Sequence, residues 1–165
     1  MRKQYRTNGA IGALLDEYEK ALNELYLVIA SLNNKTLCAI VDPNTPDPDC
    51  QSIQTILTHI VQSGYTYAVE VLKSIGDSVD YREKEEQKTA LAYISALKAM
   101  FAYNVAVFDK HPNLQLETYS PAEKIKVRWG QYYDIEQLYE HAIVHVLRHR
   151  RQIERYKQIL TNQSK

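Results

Sequence analysis

The chain has 165 residues, 45% of them apolar, and this length and composition suit one compact domain over residues 1–165. Its 20 basic and 20 acidic residues balance, which disfavours a general electrostatic nucleic-acid binder because such proteins are usually basic. The sequence contains no continuous apolar run of about 18 residues, so it predicts no membrane span. The polar N-terminus also lacks the apolar core of a secretory signal. We therefore expect a cytoplasmic protein with neither a membrane nor a nucleic-acid partner.

Four segments carry apolar residues at three- and four-residue steps, which is the period of an amphipathic helix. Ser52 or Asp49 can cap the second helix, and Asp134 can cap the last one. Gly64 permits a close approach of a neighbouring helix, and Asn104 is the polar residue closest to the apolar stripe of the third helix. The predicted helices span about residues 9–33, 51–75, 85–110 and 134–161.

The connections between these helices are irregular. Residues 34–50 hold three prolines and form a longer connection than helical bundles usually have, which predicts a crossover loop. The same loop contains Cys38 and Cys50. We expect two free thiols in a reducing compartment, and a disulfide between them is the alternative. Residues 120–123, Ser-Pro-Ala-Glu, predict a short helical turn. No alternating pattern predicts a strand, so the fold class is all-α, a four-helix bundle with a long crossover loop.

Two histidines stand where the last helix should be apolar. His145 and His149 are four residues apart and therefore face the same way on a helix, the spacing by which two imidazoles can bind one metal ion. A buried imidazole without a partner is unfavourable, so something must satisfy both rings. A divalent metal would do so, and the alternative is a pair of core histidines held by Asn, Tyr or backbone groups.

His59 strengthens the metal hypothesis because it is the only histidine in the second helix and lies near its midpoint. Three imidazoles would leave a tetrahedral or octahedral metal with open positions for water or substrate. His141, one turn before His145, could instead replace His149 as a ligand, support the ligands, or lie on the surface. His111, beside a proline in a loop, is expected to be exposed and uninvolved.

Other polar residues near these histidines could have a functional role, but each is also typical of a solvent-exposed helix surface. Glu70 and Glu140 could act as bases or partners of the ligands, yet each is typical of a solvated helix. Arg148, Arg150 and Arg151 form a basic patch that could attract an anionic substrate group or simply solvate the later part of the helix.

The histidine motifs resemble the DinB-like (damage-inducible, YfiT-like) metalloprotein family. Residues 145–152, His-Val-Leu-Arg-His-Arg-Arg-Gln, are similar to the family's His-x-x-x-His-Arg-Gly-Gln ending, and residues 56–61, Ile-Leu-Thr-His-Ile-Val, resemble its second-helix motif. The order of elements fits from about residue 9 to 161. Two departures are Arg151 in place of the usual glycine and the additional histidine His141.

This resemblance implies an up-down-down-up four-helix bundle with zinc or nickel held by His59, His145 and His149. The wider superfamily includes metal-dependent transferases and isomerases that use low-molecular-weight thiols, and proteins described as metal-dependent hydrolases. Many members are homodimers. One founding branch is induced by DNA damage, which implies a role in a stress response but does not imply DNA binding. A homodimer with a small-molecule substrate is therefore expected.

Two classes of function follow. In the first, a metalloenzyme, the metal lowers the pKa of a bound thiol or water and so generates a nucleophile near neutral pH. Thiol transfer is favoured over hydrolysis because no separate general base stands out. In the second, a non-catalytic module, the histidines are structural and stabilise a dimerising bundle.

Overall fold

The computed structural model describes residues 5–163 of the chain. These residues are predominantly helical, which confirms the all-α class, and one small hairpin joins β1 (Ile125–Lys126) to β2 (Tyr132–Tyr133). The helices of the described part are α1 (Gly9–Ile29), α2 (Asn34–Cys38), α3 (Ile53–Ser74), α4 (Ala90–Lys110) and α5 (Ile135–Asn162).

Side-chain caps decide where three of the helices begin. Ser52, rather than Asp49, caps α3, and its hydroxyl and that of Thr55 satisfy each other's backbone N–H groups. The Thr89 hydroxyl accepts a hydrogen bond from a backbone N–H, so α4 begins at Ala90 and not near residue 85. Asp134 caps α5 as predicted, with Gln137 completing a reciprocal pair of bonds.

The predicted first helix was too long. It ends at Ile29 because the Asn33 side chain accepts a hydrogen bond of 2.8 Å from the backbone N–H of Thr36 and thereby starts the separate helix α2. The crossover loop of residues 34–50 thus contains α2 and a 3-10 turn at Pro48–Cys50. Both cysteine thiols are free, as predicted.

The irregular segment before α5 contains the predicted short turn, a 3-10 turn at Pro121–Glu123. The expectation of no strand was wrong. Strands β1 and β2 pair antiparallel, with Ile125 opposite Tyr133. Two residues per strand are too few for an alternating pattern to be visible in the sequence.

The long helices pack around one core. Helices α1 and α3 each contact both α4 and α5, and the crossover loop packs against α3. Large side chains from all four long helices are fully buried there, including Tyr18, Leu22, Leu25, Ile56, Leu57, Tyr93, Leu97, Phe108, Leu138 and Tyr139.

A polar seam inside this core links all four long helices. The Tyr18 hydroxyl donates to Sδ of Met100 at 3.6 Å, and Nδ2 of Asn104 donates to the Gly64 carbonyl at 3.0 Å. The Tyr139 hydroxyl donates to Oδ1 of Asn104 at 2.8 Å. A Cβ at Gly64 would collide with the Met100 side chain, so the predicted close approach at this glycine is real.

Helix α4 is long and apolar enough to cross a membrane by length and composition alone. The sequence criterion missed this property because polar residues such as Asn104 interrupt any continuous apolar run. One side of α4, from Tyr93 to Phe108, is buried in the protein core, and core helices commonly pass the same test. The absence of a membrane partner stays a prediction.

We predict that Tyr139→Phe lowers the free energy of unfolding by about 1–3 kcal/mol, because the buried Oδ1 of Asn104 loses its donor. Urea unfolding measures the change. Tyr119→Phe is the matched control, since Tyr119 is 92% exposed. Equal effects of the two substitutions would contradict a stabilising role for the seam.

Candidate metal centre

Three imidazole rings meet between α3 and α5. Nε2 of His145 lies 2.9 Å from Nε2 of His59 and 3.2 Å from Nε2 of His149. One nitrogen from each ring lies within 4.8 Å of the others, a grouping that could hold a metal ion. The structure therefore brings together the three residues that the sequence singled out, His59 from α3 and His145 and His149 from consecutive turns of α5.

His59 is oriented by the crossover loop. Its Nδ1 lies 3.0 Å from Oδ2 of Asp49, and Nζ of Lys84 lies 2.5 Å from the other carboxylate oxygen of Asp49. A carboxylate only accepts hydrogen bonds, so Nδ1 of His59 carries the hydrogen and Nε2 keeps a free lone pair. The 3-10 turn at Pro48–Cys50 thus decides which nitrogen of His59 points at the cluster.

His149 is oriented in the same way by its own helix. Its Nδ1 lies 3.0 Å from Oε1 of Gln152, an amide oxygen that also can only accept, so Nε2 again keeps its lone pair. The Tyr156 hydroxyl donates to the Cys50 carbonyl at 2.6 Å, and this bond joins the same part of α5 to the crossover loop.

The donor set fits a divalent cation. Two Nε2 lone pairs, from His59 and His149, face the single Nε2 of His145. One N–H on His145 cannot make a full hydrogen bond to both neighbours at once, and the other nearby donor is Nη2 of Arg148, 3.5 Å from Nε2 of His149. A cation that accepts all three lone pairs would satisfy every ring, and neutral imidazoles are common ligands of zinc and related metals.

The rings are held in the neutral form that a metal requires. Burial lowers the pKa of His145 to about 2, with a further decrease from the neighbouring His149 and His59. Burial likewise lowers the pKa of His149 to about 4. Burial also lowers the pKa of His59, although the Asp49 charge opposes that decrease.

His141 lies outside this group but beside it. Its ring stacks on His145 with centroids 6.1 Å apart, and its Nδ1 lies 3.3 Å from the Tyr133 hydroxyl. That hydroxyl donates its hydrogen to Oε1 of Gln131, so it accepts from Nδ1 of His141 and leaves Nε2 of His141 without a hydrogen. Burial lowers the pKa of His141, which keeps this nitrogen a free acceptor near neutral pH.

The remaining polar candidates lie elsewhere. His111 is half-buried near Asp77, not exposed as expected, and it does not line the histidine cavity. Glu140 is exposed. Glu70 is buried, not solvated, and its Oε1 accepts hydrogen bonds from the backbone N–H of Arg128 at 2.8 Å and from the Tyr81 hydroxyl.

A cavity of about 530 Å³ opens onto His59, His141 and His145. Its wall combines polar, cationic and aromatic side chains from α3, α5, the crossover loop, the segment between α3 and α4, and the hairpin. It is lined by Asp47, His59, Gln62, Ser63, Thr66, Tyr67, Lys84, Arg128, Trp129, Gln131, His141, His145 and Arg148.

The predicted basic patch divides into three separate environments. Arg148 lines the cavity, and its Nη2 lies 3.5 Å from Nε2 of His149. Arg150 forms an ion pair with Glu24 on α1, and Arg151 is exposed outside the cavity. Only Arg148 of the three can meet a ligand at the histidines.

Sequence reasoning missed several residues of the site. Asp49 was weighed only as a helix cap, and Lys84 and Trp129 were not considered as site residues. Gln152 could have been found from the sequence. It follows His149 by three residues on a helix, and this spacing places its side chain beside the His149 ring. Asp49, Lys84 and Trp129 come from loops, where no helical period relates their positions to His59.

Comparisons with protein-family models, with curated proteins and with solved structures find no match to this chain. The resemblance to DinB-like proteins therefore rests on the residues quoted above.

We predict that the metal-free chain loses stability as the pH falls below about 6.5. The unfolded histidines bind protons there while the buried ones, with lowered pKa values, do not, so unfolding takes up protons. Each such histidine decreases the free energy of unfolding by up to about 1.4 kcal/mol per pH unit. Urea unfolding at about pH 7.5 and pH 5 measures the slope.

His149→Gln should reduce this slope, because it removes a histidine whose pKa is lowered by burial. An unchanged slope in His149→Gln would contradict the assignment.

Proposed function

We propose that this chain is a divalent-metal-binding protein that transfers a low-molecular-weight thiol to an electrophilic small molecule. The observation that carries the proposal is the convergence of three Nε2 atoms, from His59, His145 and His149, beside an open cavity that His59 and His145 line. Three protein ligands with a neighbouring cavity are typical of catalytic metal sites, because substrate can reach the remaining coordination positions.

A divalent ion, zinc or nickel, bound by these imidazoles would supply a Lewis acid that lowers the pKa of a bound thiol. The chain's own residues orient the ligands: Asp49 and Gln152 hold the Nδ1–H groups of His59 and His149. They thereby keep both Nε2 atoms available without a change of tautomer.

In the proposed reaction the thiol proton leaves sulfur, and Nε2 of His141 is the cavity-wall group that can accept it. The sulfur then forms a bond to the electrophilic carbon. The bond from that carbon to the leaving group breaks, and the leaving group departs with the electron pair.

The preference for thiol transfer over hydrolysis follows the resemblance to DinB-like proteins, because His141 can accept a proton from water as well as from a thiol. The nearby carboxylates do not add a second base. Asp49 accepts from Lys84 and faces Nδ1 of His59, while Asp47 accepts from the backbone N–H of Asp49 and from the Cys50 thiol. Neither is a free base for water.

We also propose that the long helices form the up-down-down-up arrangement of DinB-like proteins. The contacts of α1 and α3 with both α4 and α5 support this proposal. The histidine spacing of α5 and the position of His59 on α3 support it further. Cytoplasmic location and homodimerisation stay predictions of the same resemblance.

We predict that the purified chain binds about one zinc or nickel ion. His145→Ala or His59→Ala should abolish binding, because only two of the three imidazole ligands remain. Metal content after dialysis, measured by mass spectrometry, checks this. His111→Ala is the matched control and should keep full metal content. Full metal content in both ligand variants would rule out this ligand set.

We predict that metal-loaded protein accelerates the reaction of a thiol such as cysteine with chlorodinitrobenzene. A thiol of pKa about 8.5 is only about 3% ionised at neutral pH, so full ionisation raises the rate by up to about 30-fold. Product absorbance measures the rate for metal-free, zinc-loaded and nickel-loaded chains.

The His145→Ala variant should behave as the metal-free chain does. Equal rates with and without bound metal across a panel of thiols and electrophiles would instead favour the non-catalytic module.

A further inference from the structure

We propose that the cavity binds an anionic ligand that also carries a planar apolar group, with the anion at Arg128 and Arg148 and the planar group at Trp129. This inference rests on the proposed function, since it takes the ligand to be a substrate of the metal site. It names a chemical class that the three histidines alone do not indicate.

The first observation is a surplus of unpaired positive charge. Within residues 5–163, neither Arg128 nor Arg148 has a carboxylate within 4.0 Å, although both line the cavity. The third cation of the wall, Lys84, is neutralised by Asp49. Among the described residues, Asp47 is the one carboxylate that lines the cavity, so the wall attracts anions.

The second observation is the position of Arg148 beside the histidines, with Nη2 3.5 Å from Nε2 of His149. A divalent ion bound at that nitrogen would add a second cation near the guanidinium. Two neighbouring cations repel each other, and an anionic ligand would offset this repulsion. Guanidinium groups also bind carboxylates and related anions through paired N–H donors.

The third observation is that the hairpin is anchored so that Arg128 is held at the cavity. The Glu70 carboxylate accepts the backbone N–H of Arg128 at 2.8 Å, and the guanidinium lies 4.5 Å from the Tyr81 ring centroid. Gly130, in the same turn, has a φ of +90°, which L side chains rarely adopt. The turn therefore places the adjacent Arg128 and Trp129 at one cavity.

The fourth observation is an aromatic wall. Trp129 stacks on His141 with ring centroids 6.0 Å apart and 28° between the planes, and it makes a T-shaped contact with Tyr67 at a centroid separation of 5.9 Å. Trp129 remains 40% exposed, so part of a rigid indole is open to a ligand. Planar apolar groups bind such surfaces by stacking and by release of water.

Trp129 is the only tryptophan of the chain, so its fluorescence reports on the cavity directly. We would titrate the full-length protein, metal-free and zinc-loaded, with benzenesulfonate, a planar anion that coordinates metals only weakly. Methyl phenyl sulfone tests the need for charge, and methanesulfonate tests the need for the planar group. We expect a saturable fluorescence change with benzenesulfonate and at least about tenfold weaker binding of both comparison compounds.

Variants locate the site. Arg128→Gln with Arg148→Gln should weaken benzenesulfonate binding by about tenfold or more, because the charge-assisted bonds are lost. Arg151→Gln is the matched control, exposed on α5 outside the cavity, and should bind as the unmodified chain does. By calorimetry, Trp129→Ala should weaken binding and Trp129→Phe should largely preserve it.

The outcomes separate the two proposals. Equal binding of the three compounds, no saturable change, or equal weakening by Arg151→Gln would overturn the anionic planar ligand. If benzenesulfonate binds as expected but the chain takes up no metal, the ligand site stands and the proposed function fails. If metal binds and benzenesulfonate does not, the proposed function stands and this inference fails.

Discussion

The meeting of three imidazole nitrogens across α3 and α5 is the constraint on which the site depends. The Nδ1 atoms of His59 and His149 are each committed to an oxygen that can only accept, so both Nε2 atoms present lone pairs to His145. One N–H on His145 can serve only one of these lone pairs, and Nη2 of Arg148, 3.5 Å from Nε2 of His149, is the other nearby donor. A shared cation would accept all three lone pairs directly, which connects the local hydrogen bonding to the proposed metal.

The rest of the fold can be understood as the means of keeping these rings in place. The seam of Tyr18, Met100, Asn104, Gly64 and Tyr139 joins the four long helices through buried polar contacts. Because Gly64 leaves room for Met100, α3 and α4 approach closely one turn beyond His59. Directional contacts of this kind fix the relative positions of helices more tightly than apolar packing alone.

The loops supply chemistry that the helices lack. The crossover loop contributes Asp49, the hairpin contributes Arg128 and Trp129, and the segment before α4 contributes Lys84. This division is common in proteins, where regular elements provide a rigid frame and connecting segments provide recognition. The division is not complete, since Arg148 of the cavity wall lies on α5 and Asp49 of the crossover loop orients His59.

The sequence by itself determined the helical class, the four long helices and the pairing of His145 with His149. All three follow from the 3.6-residue period, which relates neighbours along one helix. It also singled out His59, predicted the cap at Asp134, and offered Ser52 as one of two candidate caps for α3. Only the tertiary structure decided that His59 meets the pair, that His141 stands beside it, and that Asp49, Lys84, Arg128 and Trp129 surround the cavity. The physical reason is that contacts between loops and distant helices depend on how the chain packs in three dimensions, and no local period encodes them.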